Sequence, residues 1–207
     1  MHQGWPKFTQ HLWYATPDNG IAAFSYSPSE ITAKVGNNVS VVISEDTYYP
    51  MDNRISFTIK EVKNKTKQVE FPLHLRIPKW CKRAEIIVNG KAEQYIEGGR
   101  IAVINRIWKR NDNVELHLPM EVSTSTWYEN AVTIERGPLV YALKIKENWK
   151  KENLNNSWYG PHYYQVTSSE PWNYGLVDFD RSQVNKIAQV SICLLYTSDA
   201  ADDRISV

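Results

Sequence analysis

Five histidines, two cysteines and the carboxylates are the residues of this 207-residue chain that could carry acid–base, nucleophilic or metal chemistry. Their spacing assembles none of it. His74 and His117 fall on the polar side of alternating stretches, where an imidazole reads as solvated surface. His11 lies in a short helical stretch as a packing or surface residue, and His162 lies in an aromatic loop. Glu45 and Asp46 are adjacent, so on a strand they point to opposite faces and cannot act on one substrate bond. Cys81 and Cys193 lack the short spacing and the histidine partners of a zinc site. There is no glycine-rich phosphate loop and no serine–histidine–aspartate ordering. Read from its residues alone, the chain holds no catalytic apparatus.

The bulk composition narrows the partners. A net charge of +1 with dispersed basic residues gives no field for nucleic acid or an anionic membrane. No stretch approaches the run of about 20 apolar residues that spans a bilayer. Hydrophobic residues at 42% and charged residues at 23% predict a packed core. The aromatic content is high, with 8 Trp and 12 Tyr. Such residues suit half-buried strands and also make surfaces for stacking on sugars. Trp158, Tyr159, Tyr163, Tyr164, Trp172 and Tyr174 form one such cluster. Packing of their loop onto the domain is the first reading, and sugar binding through Trp158 and Trp172 is the alternative.

The elements that would position these residues are strands. In VEFPLHLRI, Val69, Phe71, Leu73, Leu75 and Ile77 point one way, opposed to Glu70, Pro72, His74 and Arg76. Pro72 cannot donate to a ladder, so this strand is expected at an edge or with a bulge. RISFTIKEV alternates through Ile55, Phe57 and Ile59, and NVELHLPM through Val114, Leu116, Leu118 and Met120. Further strands are expected at 21–26, 30–35, 39–44, 84–88, 101–104, 123–127, 131–135 and 139–145. Asn89-Gly90 is a hairpin signal, because both residues accept the positive φ of a type I′ turn. Asn19-Gly20 and Gly98-Gly99 mark further turns. Only Lys7–Tyr14 reads as helical, from the spacing of Phe8, Leu12 and Trp13. The fold class is therefore all-β, an antiparallel, jelly-roll-like sandwich after a short helix.

The motifs TYYPMDNRISFTI, FPLHLRIPKWC, VNG, RIWKRNDNVELHLPMEV and ERGPLVYAL occur in that order, and WNYGL follows near Trp172. Together they resemble the β-sandwich region of glycoside hydrolase family 127, the former domain of unknown function 1680. Its characterised members are β-L-arabinofuranosidases with an (α/α)6 barrel followed by β-sandwiches. Asn111 departs from the family pattern, which usually has Gly in that turn. Asn tolerates the left-handed conformation, so the turn is expected to survive.

The resemblance implies a domain plan. Residues 1–19 would end the helical catalytic barrel as a remnant, 20–145 would form the sandwich, and 146–192 would be linker and aromatic loops towards a further element. The run from Cys193 to Asp203 also resembles a translated sequencing adapter, so 193–207 is expected to be a non-native tail. In one branch of the family, the segment resembling MHQGWPKF follows a Cys-Cys pair in the barrel. One of those cysteines is nucleophile and zinc ligand, with an acid/base glutamate upstream. Coordination would hold such a thiolate without a free base. All of these residues would precede Met1, leaving catalytic residues, zinc and other cofactors out of this chain. His2 and Gln3 would reach the rim of the substrate site. The implied function is an accessory sandwich of a retaining glycosidase. Its partners would be its own upstream barrel and an arabinose-containing glycan, with no nucleic acid and no membrane. The alternatives are a carbohydrate-binding module and an interdomain or oligomerisation domain.

Overall fold

Where apolar residues alternate in the sequence, the computed structural model, which describes residues 4–142, 145–156 and 160–171, places strands. A short helix α1 (Gly4–Gln10) precedes β1 (Trp13–Ala15), β2 (Ile21–Ala23), β3 (Ser29–Val35) and β4 (Val39–Thr47). Then follow β5 (Arg54–Lys63), β6 (Gln68–Arg76), β7 (Arg83–Val88), β8 (Lys91–Glu97), β9 (Ile101–Lys109) and β10 (Asn113–His117). These strands build two sheets, ordered β1-β2-β6-β9 and β3-β4-β5-β10-β7-β8. Their apolar faces share one buried cluster. Ile21, Phe71, Leu73, Leu75, Ile104 and Trp108 enter it from the first sheet, and Ile43, Ile55, Phe57, Ile59, Ile86 and Leu116 from the second. The sandwich expected from the alternation is borne out.

Trp108 is wholly buried, and its Nε1 donates to the Phe71 carbonyl at 2.9 Å. The bond satisfies the one polar atom of the ring, so burial of the indole is close to pure gain. β5 shows how alternation can slip without losing the core. Val42 pairs with Glu61 but Ile43 pairs with Ile59, so Lys60 is an extra residue. Lys60 and Glu61 both face solvent, and Val62 returns to the core.

The strand carrying Pro72 is not at an edge. β6 lies between β2, which it meets in parallel, and β9, which it meets antiparallel without a bulge. The β2 pairing begins at Leu73, one residue past the proline. The Pro72 carbonyl faces Gly20 rather than β9, so the missing N–H falls on the side where no β9 bond is formed. The helix is also shorter than expected and displaced. Trp13 leaves it to pair with Ala23, and its Nε1 donates to Ser29 Oγ at 3.0 Å.

The Asn89-Gly90 turn forms as expected, with φ of 50° and 76°. It joins β7 to β8, a strand with little apolar content and therefore no alternation signal. Asn111 adopts φ 69°, so the turn survives the replacement of glycine.

The chain divides into two units, the first running through Glu121 and adding Arg136–Leu139. The second comprises Val122–Glu135 and the described residues from Val140. Over residues 122–140, β11 (Val122–Thr126), β12 (Val132–Arg136) and β13 (Leu139–Val140) form a three-stranded sheet. β14 (Asn148–Asn156) and β15 (Gly160–Thr167) form an antiparallel hairpin within the stretch read from sequence as linker and loops.

Candidate functional site

His2, Gln3, Trp158 and Trp172 lie outside the described residues, as do Tyr159, Tyr174, Cys193 and the tail. Tyr163 and Tyr164 are on β15, where Tyr164 meets the rings of Trp149 and His162 edge-on at 5.9 and 5.6 Å.

Glu45 and Asp46 face opposite sides, as their adjacency requires. Glu45 is buried and Asp46 exposed. Glu45 Oε1 accepts the Ser27 N–H at 2.9 Å, and Ser29 Oγ lies 3.4 Å from Oε2. Two hydrogen bonds do not replace a hydration shell, so burial pushes this carboxyl up to about 8. A carboxylic acid protonated at neutral pH is the species a general acid needs, yet Glu45 is only 3% exposed. Its role is therefore within the core.

His74 is not the solvated residue that its polar face suggests. Its Nε2 lies 2.9 Å from Asp18 Oδ2, and its side chain is mostly covered. Asp18 also accepts the Thr16 hydroxyl, and that bond, followed by His74, draws its carboxyl below the usual range. Sequence reasoning missed this pair because the partners lie in a turn and a distant strand. The Asn19-Gly20 turn was the available signal.

Asp18 lines a groove of about 600 Å³ that runs along β6. Asn37, Asn64, Gln68, Glu70 and Asn105 also line it. Two glycines allow its walls to approach β6. A Cβ on Gly20 would meet the Pro72 oxygen at 2.2 Å, and one on Gly36 would meet the Glu70 oxygen at 2.5 Å. The walls are joined where Gly36 N donates to Asn19 O at 2.7 Å. The turns thereby cover the stretch of β6 that β2 leaves unpaired. The asparagine-rich turns were the sequence signal for this groove, but nothing local showed that they converge.

The zinc implied by the resemblance finds no fitting ligand set among the described residues, where no three His, Cys, Asp or Glu side chains gather. Cys81 is wholly buried, and desolvation pushes its thiol up, away from the thiolate a metal requires.

Residues 20–120 match a family model described as the GH127 middle domain of β-L-arabinofuranosidase. A GH127 β-L-arabinofuranosidase from Geobacillus stearothermophilus T6 superposes with a TM-score of 0.57 at 24% identity, covering 77% of this chain and 32% of that one. A structure described as a glycoside hydrolase gives 0.54 at 27% identity, over 77% and 30%. A further GH127 β-arabinofuranosidase gives 0.57 at 19% identity, over 80% and 31%. The chain thus spans about a third of the length of these solved structures. No curated protein gives a significant match.

Proposed function

From the premise that residues 20–120 are a GH127 middle domain, we propose that the chain is an accessory sandwich of a retaining glycosidase acting on arabinose-containing plant glycans. The observation that carries this reading is the family match over all of the sandwich but β1, from β2 to the end of β10. In this reading the catalytic nucleophile, the acid/base carboxylate and the zinc belong to a helical barrel preceding the sandwich. The sandwich covers that barrel and closes one side of the substrate cleft.

Two surfaces of the first unit support a covering role. Helix α1 buries none of its residues, and Trp5 and Phe8 are exposed on it. β9 turns Ile101, Val103 and Ile107 outward. A neighbouring domain would remove this apolar area from water. The retaining mechanism needs a nucleophile and an acid/base group placed about 5 Å apart. No such pair is supplied by Glu45 and Asp46, which face apart.

The test is transplantation. A GH127 β-L-arabinofuranosidase lacking its own middle domain should lose soluble expression and release of nitrophenol from an aryl β-L-arabinofuranoside. Residues 20–120 in its place should restore both. A deletion that leaves activity intact, or a chimera no better than the deletion, would sink the reading.

A further inference from the structure

We infer that the groove over β6 is a binding site for a neutral polyhydroxylated molecule of one or two sugar rings. Its size, about 600 Å³, falls within the range of small-molecule sites. Its chemistry selects the class. Among the described residues no Lys or Arg lines it, while Asp18 and Glu70 do, so phosphates and carboxylates meet no counter-charge there. The one aromatic residue along it, Phe71, is buried with its ring against Trp108, so no stacking face is open to a planar base. Its polar side chains are mainly carboxamide and carboxylate, Asn37, Asn64, Gln68 and Asn105 with the two acids, set beside apolar Val39 and Pro72 as the ring faces of a sugar require. Carboxylates accept from hydroxyls and carboxamides both accept and donate, which matches the two-way bonding of a sugar hydroxyl.

Asn64 is held in one orientation. Its Nδ2 donates to the Gln68 carbonyl at 2.7 Å, which fixes the orientation of the amide. The walls are also held in place before any ligand arrives. Gly36 bonds to Asn19, Asp18 bonds to His74, and Thr66 Oγ1 donates to Gln68 O at 3.1 Å. A preformed groove spends little of its affinity on ordering loops. The groove is lined by this chain's own residues, so it can be tested without a catalytic domain.

The test is a titration of the full, isotope-labelled chain, followed by amide signals, with L-arabinose, D-glucose and inorganic phosphate in separate arms. Sugar should move the signals of residues 36–38, 64–70 and Asn105, and phosphate should not. Asn37→Ala should weaken sugar binding about fivefold, the loss of one hydrogen bond. Asn105→Trp should fill the groove and abolish binding. Both positions are exposed, and dispersion of the remaining signals reports the fold of each variant. The inference falls if no sugar moves these signals, if phosphate moves them equally, or if binding survives both substitutions. Glucose binding without arabinose binding supports the groove and counts against an arabinose-specific parent, so the two readings fail separately.

Discussion

Asn89 and Asp112 meet at 3.0 Å, where the asparagine amide donates to Oδ1 and links the turn after β7 to the turn before β10. Each turn also uses the pair for its own backbone. Lys109 N donates to Asp112 Oδ2 at 2.9 Å, and Asn113 N donates to Asn89 Oδ1 at 2.8 Å.

Asp112 is 4% exposed, and removing its carboxylate takes the acceptor from two donors, Asn89 Nδ2 and Lys109 N, that belong to exposed residues. Asp112→Ala should lower unfolding free energy by about 1–3 kcal/mol, the net loss of two hydrogen bonds. Asp112→Asn keeps an acceptor and should lose less. Urea denaturation of both variants measures the difference, and equal losses would show that the turn geometry alone carries the stability.

Glu45 should make the domain less stable as pH rises. In the fold its carboxyl keeps its proton to about pH 8, whereas the ordinary value is 4.5. Between those values the unfolded chain binds fewer protons than the folded one, so unfolding free energy falls with pH, by up to about 1.4 kcal/mol per unit. The contribution is fully present below about pH 4.5 and lost by about pH 8. Glu45→Gln, isosteric and neutral, should flatten that slope. Thermal melts across pH 4–9 test it, and a slope unchanged by the substitution would show that Glu45 ionises normally.

Gly98 should tolerate no side chain. An added Cβ would lie 2.1 Å from the Cys81 oxygen and 2.7 Å from the Pro78 oxygen, both backbone atoms. Gly98→Ala should lower stability by roughly 3 kcal/mol or more, since main chain must move. Gly90 is the control, with φ 76° and open space around it, and Gly90→Ala should lose only about 1 kcal/mol. Similar melting temperatures for the two variants would refute the crowding at Gly98.

Leu75 and its neighbour His74 test the register of β6. Leu75 is fully buried, so Leu75→Asp places an unpaired charge in the core and should prevent folding. His74→Gln can keep a hydrogen bond to Asp18 and should stay within about 1 kcal/mol of the parent. Circular dichroism and solubility separate the outcomes. A soluble, folded Leu75→Asp would overturn the register.

How much of this could be read from sequence depended on whether the signal was local. β5, β6 and β10 were legible because each has one face in the core and one in solvent, which is what alternation records. The turns at Asn89-Gly90 and Asn111 were legible because φ preference belongs to the residue itself. β8 was not, since an edge strand with few core contacts has no reason to alternate. The Asn89-Gly90 signal nevertheless required a strand after it. Trp13 was misread as helical because Phe8, Leu12 and Trp13 fit a helical period by chance, and a three-residue strand has no period to set against it. The groove escaped entirely. Its defining contacts, His74 with Asp18 and Gly36 with Asn19, join segments far apart in the chain.

The parallel pairing of β2 with β6 also governs how this domain can emerge from a ribosome. Ile21 waits for Leu73 before its strand has a neighbour on that side, and Leu73 in turn waits for Ile104. On the other sheet, Phe57 has no second flank until Val114 has been made. The early hairpin of β3 and β4 can form as soon as it leaves the exit tunnel, but it buries little alone. Closure of the core is therefore held back until β10 is out, and the first half of the chain spends its synthesis with an unfinished apolar face open to solvent.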